Sequence, residues 1–205
     1  MKKTTYDESQ VTELVYQAYE TELGGERIYE LAIEAAQNED LKEEWEKYLS
    51  ETLHHQEVLL DVIESMGLDP NTPTPGRAIV EQHADALVQI ITDAIAAGNP
   101  RAAELVAAEC VVLAETKDHL NWELIGYVAK ESNGPWTKAL AAAFEEVEHQ
   151  EDHHLYHTKG WARELWIQSL GLPAALPPPE EVKKVESAIG AARAEKARDA
   201  LAQTH

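Results

Sequence analysis

The chain has 205 residues, with 17 Lys and Arg against 38 Asp and Glu, so its formal net charge is −21. A surface this acidic repels nucleic-acid phosphates, which argues against nucleic-acid binding. A hydrophobic content of 44% with five tryptophans exceeds what a disordered acidic chain contains. The composition therefore predicts one folded domain of ordinary size, with a substantial core and no nucleic-acid partner.

The compartment is predicted from the cysteine count and the first residues. Cys110 is the only cysteine, which excludes an intramolecular disulfide and a cysteine-rich zinc site. The basic residues Lys2 and Lys3 precede a polar, acidic stretch and not the apolar segment of a signal peptide. No stretch approaches the roughly 18 consecutive apolar residues of a membrane span. We therefore expect a cytoplasmic protein without an integral membrane segment.

Helical patterns cover nearly the whole chain, whereas strand signals are nearly absent. The predicted helices span, approximately, residues 7–36, 41–66, 78–97, 101–129, 137–170 and 181–202. Short breaks at 38–40 and 132–135 join the long helices into two hairpins. A segment rich in proline and glycine at 67–76 leads into the shorter helix that crosses from one hairpin to the other. This predicts an all-α fold, an antiparallel four-helix bundle with one long crossover containing an extra helix.

The predicted bundle takes up residues 1–170, and residues 171–205 form a proline-rich arm with a C-terminal helix. Within the bundle, each long helix has polar residues on its otherwise apolar core line. Steps of four and three residues along the helices place on these lines, besides threonines, the following carboxylates and histidines: Glu22, His55, Glu115, His119, Glu151 and His154. Residues equidistant from the turn of a hairpin lie level, and both hairpins meet this condition. The pattern therefore predicts one buried polar layer across all four helices.

Carboxylates in such a layer need a partner, because an unpaired buried charge costs several kcal/mol. The four core lines contribute neither Lys nor Arg to the layer. A mixed shell of carboxylates and imidazoles suits Fe or Mn better than a closed structural zinc site. Glu151 and His154 form Glu-x-x-His, which is the spacing found in di-iron helical bundles. A pair of divalent metal ions is therefore the predicted neutralising partner.

Two short segments carry a resemblance to a known family. Residues 22–29, Glu-Leu-Gly-Gly-Glu-Arg-Ile-Tyr, resemble the first-helix motif of demethoxyubiquinone hydroxylases, with the ligand on Glu22. Residues 110–115, Cys-Val-Val-Leu-Ala-Glu, are similar to the run before the third-helix ligand of that family. Over about residues 10–170 the chain resembles the ferritin-like di-iron carboxylate superfamily, including the hydroxylases and rubrerythrin-type bundles. The resemblance implies a ferritin-like fold that holds two Fe ions, with Mn as an alternative.

One position departs from the pattern of that superfamily. Thr52 stands where a glutamate is expected, three residues before His55. Glu51 could supply this carboxylate from the neighbouring position, or the site could hold one metal firmly and a second weakly. Glu51-x-x-His54 satisfies the motif literally, but His54 points about 100° away from the core line. Two further residues are alternative ligands or hydrogen-bond partners of ligands: Glu26 and His119.

These observations predict a non-haem di-iron oxidoreductase of the oxidase or hydroxylase type, which activates O₂ or peroxide. Carboxylates would bridge and hold the metals, histidines would complete the shell, and open positions would bind the oxidant. The predicted metal ligands are Glu22, Glu51, His55, Glu115, Glu151 and His154. The alternatives are an iron-handling ferroxidase, a dimanganese catalase-like protein and a metal-free helical interaction domain. The expected partners are O₂, peroxide or a small-molecule substrate, with a homodimer as an open alternative.

Overall fold

The structure, a computed structural model, describes residues 6–179 and confirms the all-helical class over that range. Its five helices are α1 (Glu8–Ala35), α2 (Glu39–Ser65), α3 (Pro75–Ala96), α4 (Pro100–Glu131) and α5 (Thr137–Ser169). The predicted C-terminal helix over 181–202 lies outside the described residues. Among the described residues, no helix combines the length and the apolar character that crossing a bilayer requires.

The helices begin where side chains satisfy the free backbone N–H groups of the first turn. Asp7 accepts hydrogen bonds from the backbone of Ser9 and Gln10 at the start of α1. The largest difference from the predicted bounds is at α3, which starts at Pro75 and not near residue 78. Thr74 caps this helix, and proline fits its first position because no N–H is needed there. Proline therefore starts a helix at a place where the sequence pattern indicated a loop.

The four long helices form a bundle in which α1 contacts α2 and α4, and α5 contacts α2 and α4. At one end, the Tyr6 ring stacks on Trp136 with centroids 5.9 Å apart. At the other end, Glu104 accepts hydrogen bonds of 2.7 Å from the backbone N–H groups of Gln37 and Asn38. The start of α1 therefore lies near the end of α4, and the end of α1 near the start of α4, so the two helices are antiparallel. Helix α3 packs on the outside against α1 and α4 and carries the chain from the end of α2 back to the start of α4.

The core consists of two apolar clusters, one toward each end of the bundle. One cluster includes Trp45 and Trp161 and lies toward the α1–α2 turn. The other includes Trp122, Leu59 and Leu140 and lies toward the α4–α5 turn. The buried residues Glu22 of α1, His55 of α2 and Glu151 of α5 lie between these clusters along the helices. The fold therefore places a polar layer in the middle of an otherwise apolar bundle.

Candidate metal centre

Three helices bring the first group of potential ligands together. His55 Nδ1 lies 3.3 Å from Glu22 Oε1 and 3.0 Å from Glu151 Oε1. All three residues are buried, with relative exposures of 0% for His55 and 1% for Glu22 and Glu151. Each offers one donor atom, and these atoms lie within 4.8 Å of one another. This spacing is compatible with a metal ion held by one imidazole and two carboxylates.

A second group overlaps the first at Glu151. His154 Nδ1 lies 3.7 Å from Glu151 Oε1 and 3.8 Å from Glu115 Oε2. Their donor atoms also lie within 4.8 Å of one another, and all three residues are buried. Because Glu151 belongs to both groups, its two oxygens can face two neighbouring ions. The structure thus brings five of the six sequence-predicted ligands into one cluster, which we call the central cluster: Glu22, His55, Glu115, Glu151 and His154.

Hydrogen bonds from outside the central cluster orient its members. Tyr29 donates a hydrogen bond of 2.6 Å to Glu115 Oε1. Trp122 Nε1 donates to Glu22 Oε1 at 2.9 Å. His55 Nε2 lies 2.7 Å from Gln150 Oε1, so Nδ1 is the nitrogen that faces the carboxylates. Such outer partners fix ring orientation and ligand geometry in metal sites.

Carboxylate oxygens in the central cluster are buried without a hydrogen-bond partner. They include Glu22 Oε2, Glu115 Oε2 and Glu151 Oε2. A buried acceptor left unsatisfied costs about 1–3 kcal/mol, and more when it is charged. Cations of small radius would satisfy these oxygens, so the donor set fits divalent metal ions.

The sixth predicted ligand, Glu51, lies on the far side of His154. Its Oε2 is 2.8 Å from His154 Nε2, while His154 Nδ1 faces the cluster. Glu51 therefore orients the imidazole from outside and belongs to neither group of ligands. Thr52, on the position where a glutamate was expected, is buried with 3% exposure. Helix α2 consequently contributes His55 to the cluster and no carboxylate.

The remaining candidates have partners elsewhere. Glu26 Oε2 accepts a hydrogen bond of 2.9 Å from Gln56 Nε2. His119 has Asp152 Oδ1 at 3.6 Å from Nδ1 and Glu123 Oε1 at 3.6 Å from Nε2. The alternative at His54 is likewise outside: its side chain is 46% exposed and Nε2 lies 2.9 Å from the Oε1 of Glu146. None of the three belongs to the central cluster.

Asp118 is a buried carboxylate that the sequence interpretation missed. It is 6% exposed and its Oδ1 has no hydrogen-bond partner. Burial raises its pKa well above the ordinary value, and the charges of Glu151 and Glu22 raise it further. The sequence signal was its position three residues after Glu115. Positions three and four residues along a helix share a face, and spacing alone favoured His119.

The protons of the central cluster are held on different groups. Burial raises the pKa of Glu115 to about 7. Burial alone would lower the pKa of His55, but the neighbouring Glu22 and Glu151 outweigh it and raise this pKa to about 11. Around neutral pH a positively charged His55 therefore offsets part of the carboxylate charge. Metal ions bind deprotonated ligands, so binding here would release protons.

Comparison of the chain with family models, with curated proteins and with solved structures gives no match.

Proposed function

We propose that the chain is a ferritin-like metalloprotein that holds two metal ions, Fe or alternatively Mn, in the central cluster and activates O₂ or peroxide. The observation that carries the proposal is the shared carboxylate of Glu151 between two groups of buried ligands. The order of two helical hairpins joined through α3 agrees with the expected ferritin-like plan.

Each ion would have its own histidine. Glu22 and His55 would hold one ion, Glu115 and His154 the other, and Glu151 would join both. Di-iron bundles take a carboxylate from every helix, and α2 has Thr52 at that place. Asp118 lies outside both groups of three, but it is buried one helical turn from Glu115 and its Oδ1 has no hydrogen-bond partner. We infer from this that Asp118 supplies the missing carboxylate from α4.

Bound iron would supply electrons and open coordination positions for O₂ or peroxide. Other residues of the chain would orient the metal ligands and control how water, oxidant and substrate reach the ions. Tyr29 and Trp122 fix two carboxylates by hydrogen bonds, and the apolar clusters keep bulk water from both sides. A cavity of about 840 Å³ between α4 and α5 is lined by Glu151, Trp122 and Phe144, among others. Through it a small oxidant or substrate could reach the shared carboxylate.

The experiment is iron loading of untagged protein without oxygen, followed by addition of O₂ or peroxide. We expect two Fe per chain and consumption of one of these oxidants. Glu22→Gln should lose the iron bound by Glu22 and His55 and most of the oxidant consumption. Glu30→Gln is the matched control, because Glu30 is an exposed glutamate two turns further along α1.

Two results would overturn the proposal. Iron-loaded protein that consumes neither oxidant would exclude the activity. Equal iron content in Glu22→Gln and the wild type would exclude the central cluster as its site. A protein that disproportionates peroxide only with Mn would replace the iron enzyme by the dimanganese alternative.

A further inference from the structure

A second cluster of side chains that could bind a metal ion lies beside the central cluster and shares no residue with it. It consists of Glu44 on α2 with His153 and His157 on α5, and we call it the lateral cluster. Glu44 Oε2 lies 3.4 Å from His157 Nδ1 and 3.9 Å from His153 Nε2. The three residues offer donor atoms that are all within 4.8 Å of one another.

We propose that the lateral cluster is a separate mononuclear site for a divalent transition-metal ion, of which Zn²⁺ is the first candidate. The two histidines are four residues apart, so they share one face of α5. Ligands about 2.0–2.2 Å from a tetrahedral Zn²⁺ lie about 3.4 Å from one another. The Glu44–His157 separation of 3.4 Å matches this value, the Glu44–His153 separation of 3.9 Å is somewhat longer, and both exceed the 2.7–3.2 Å of an ordinary N–H···O hydrogen bond. The spacing of the lateral cluster therefore leaves room for an ion between its donors.

Two of the three side chains are partly exposed to solvent, which is compatible with a coordination position open to water. Their relative exposures are 29% for Glu44, 20% for His153 and 4% for His157. Glu44 Oε2 itself is shielded from solvent and has no hydrogen-bond partner. An ion with three protein ligands needs a fourth, and water can provide it from the exposed side. Such an ion would connect α2 to α5 next to the central cluster.

Tyr48 lies between the two clusters. Its hydroxyl is 3.1 Å from His157 Nδ1, and its ring centroid is 4.3 Å from that of His154. Occupation of the lateral site would require the hydroxyl to release this nitrogen. Ion binding at the lateral site should therefore change the environment of Tyr48, which near-ultraviolet absorption can follow.

The test is equilibrium dialysis of the untagged full-length protein against Zn²⁺, with metal counted by mass spectrometry. His153→Gln and Glu44→Gln should each bind one Zn²⁺ fewer than the wild type, or bind it more than about 100-fold more weakly, because each removes a direct ligand. His149→Gln is the matched control, because His149 is an exposed histidine one turn earlier on α5. This variant should bind the same number of Zn²⁺ ions as the wild type, with the same affinity.

The central cluster is tested separately in the same assay. Glu22→Gln should retain the Zn²⁺ of the lateral cluster. The lateral site can therefore be confirmed even if the central cluster binds no metal. Unchanged stoichiometry and affinity in Glu44→Gln would overturn the lateral site. An equal loss in His149→Gln would also overturn it, since that result indicates general chelation by surface histidines. If circular dichroism shows that His153→Gln is unfolded, the Zn²⁺ binding of Glu44→Gln alone tests the lateral site.

Discussion

The central cluster and the apolar clusters on either side of it are built from the same four helices, but they have opposite effects on stability. The apolar clusters bury side chains such as Leu59 and Leu140 completely, which stabilises the fold. The central cluster buries Glu22, Glu115 and Glu151 together, which costs free energy unless cations compensate. The apolar contacts that stabilise the bundle therefore lie toward its two ends, and the buried charges that cost stability lie in its middle.

Glu151→Gln is expected to have the largest effect on the central cluster. The variant keeps the volume of the side chain but removes the charge that both ligand groups share. We expect loss of both central ions, measured as metal per chain after dialysis, with metal-free stability equal to or above that of the wild type. Glu145→Gln, an exposed glutamate on the same helix, should retain both ions. Two ions still bound to Glu151→Gln would refute the shared position.

The reverse pattern is expected for Leu140→Ala in the apolar cluster near the α4–α5 turn. Leu140 is 0% exposed, so truncation removes buried contacts and leaves a cavity. The free energy of unfolding should fall by about 2–5 kcal/mol in urea denaturation, while the folded protein keeps its metal content. Leu170→Ala, at a side chain 65% exposed, should change stability little. Metal loss in folded Leu140→Ala would show that the two regions are not separable.

The stability of the metal-free protein should depend on pH through the buried groups of the central cluster. The folded Glu115 has a pKa of about 7 against an ordinary value of 4.5, so the folded state holds a proton that the unfolded chain has released. Stability from this group is complete below about pH 4.5 and is lost as pH rises toward 7, on the order of 3 kcal/mol. The raised pKa of His55 continues the loss at higher pH.

Urea unfolding at pH 5, 6 and 7 with a chelator measures this loss. Metal-saturated protein is the comparison, and its stability should not fall over the same interval, because the ions take the place of the protons. A metal-free protein that gains stability from pH 5 to 7 would contradict the assignment of a raised pKa to Glu115.

The smallest of the expected effects concerns Asp118. If this residue replaces the carboxylate missing at Thr52, Asp118→Asn should lower the affinity for one central ion by about 10–100-fold and leave the affinity for the other unchanged. Metal titration of Asp118→Asn beside Asp61→Asn, an exposed aspartate on α2, measures the difference. Equal affinities in both variants would remove Asp118 from the ligand set.

The sequence was sufficient for much of the architecture because the breaks between helices are local. Asn38 caps α2, and Asn99 caps α4, so both starts follow from nearby residues. The core lines likewise predicted that Glu22 and His55 approach Glu151, since a helix position fixes which face a residue occupies. These predictions needed only helix periodicity and the level of each residue in its hairpin.

The finer composition of the site did not follow from periodicity. Glu51 was expected among the ligands, but its side chain contacts the outer nitrogen of His154. Periodicity gives the face of a residue and not the direction in which a long side chain turns. The burial of Asp118 and the place of His157 in the lateral cluster were missed because each residue lies beside its core line, where the packing of two helices decides burial.

Anomalous X-ray diffraction from crystals of the protein loaded with Fe or Mn tests directly whether the central cluster holds two ions that share Glu151. We predict two anomalous peaks in the middle of the bundle, both within bonding distance of Glu151 and one next to each of His55 and His154. Loaded crystals with no peak in this layer, or with bound ions that do not contact Glu151, would contradict a shared two-ion site in the central cluster.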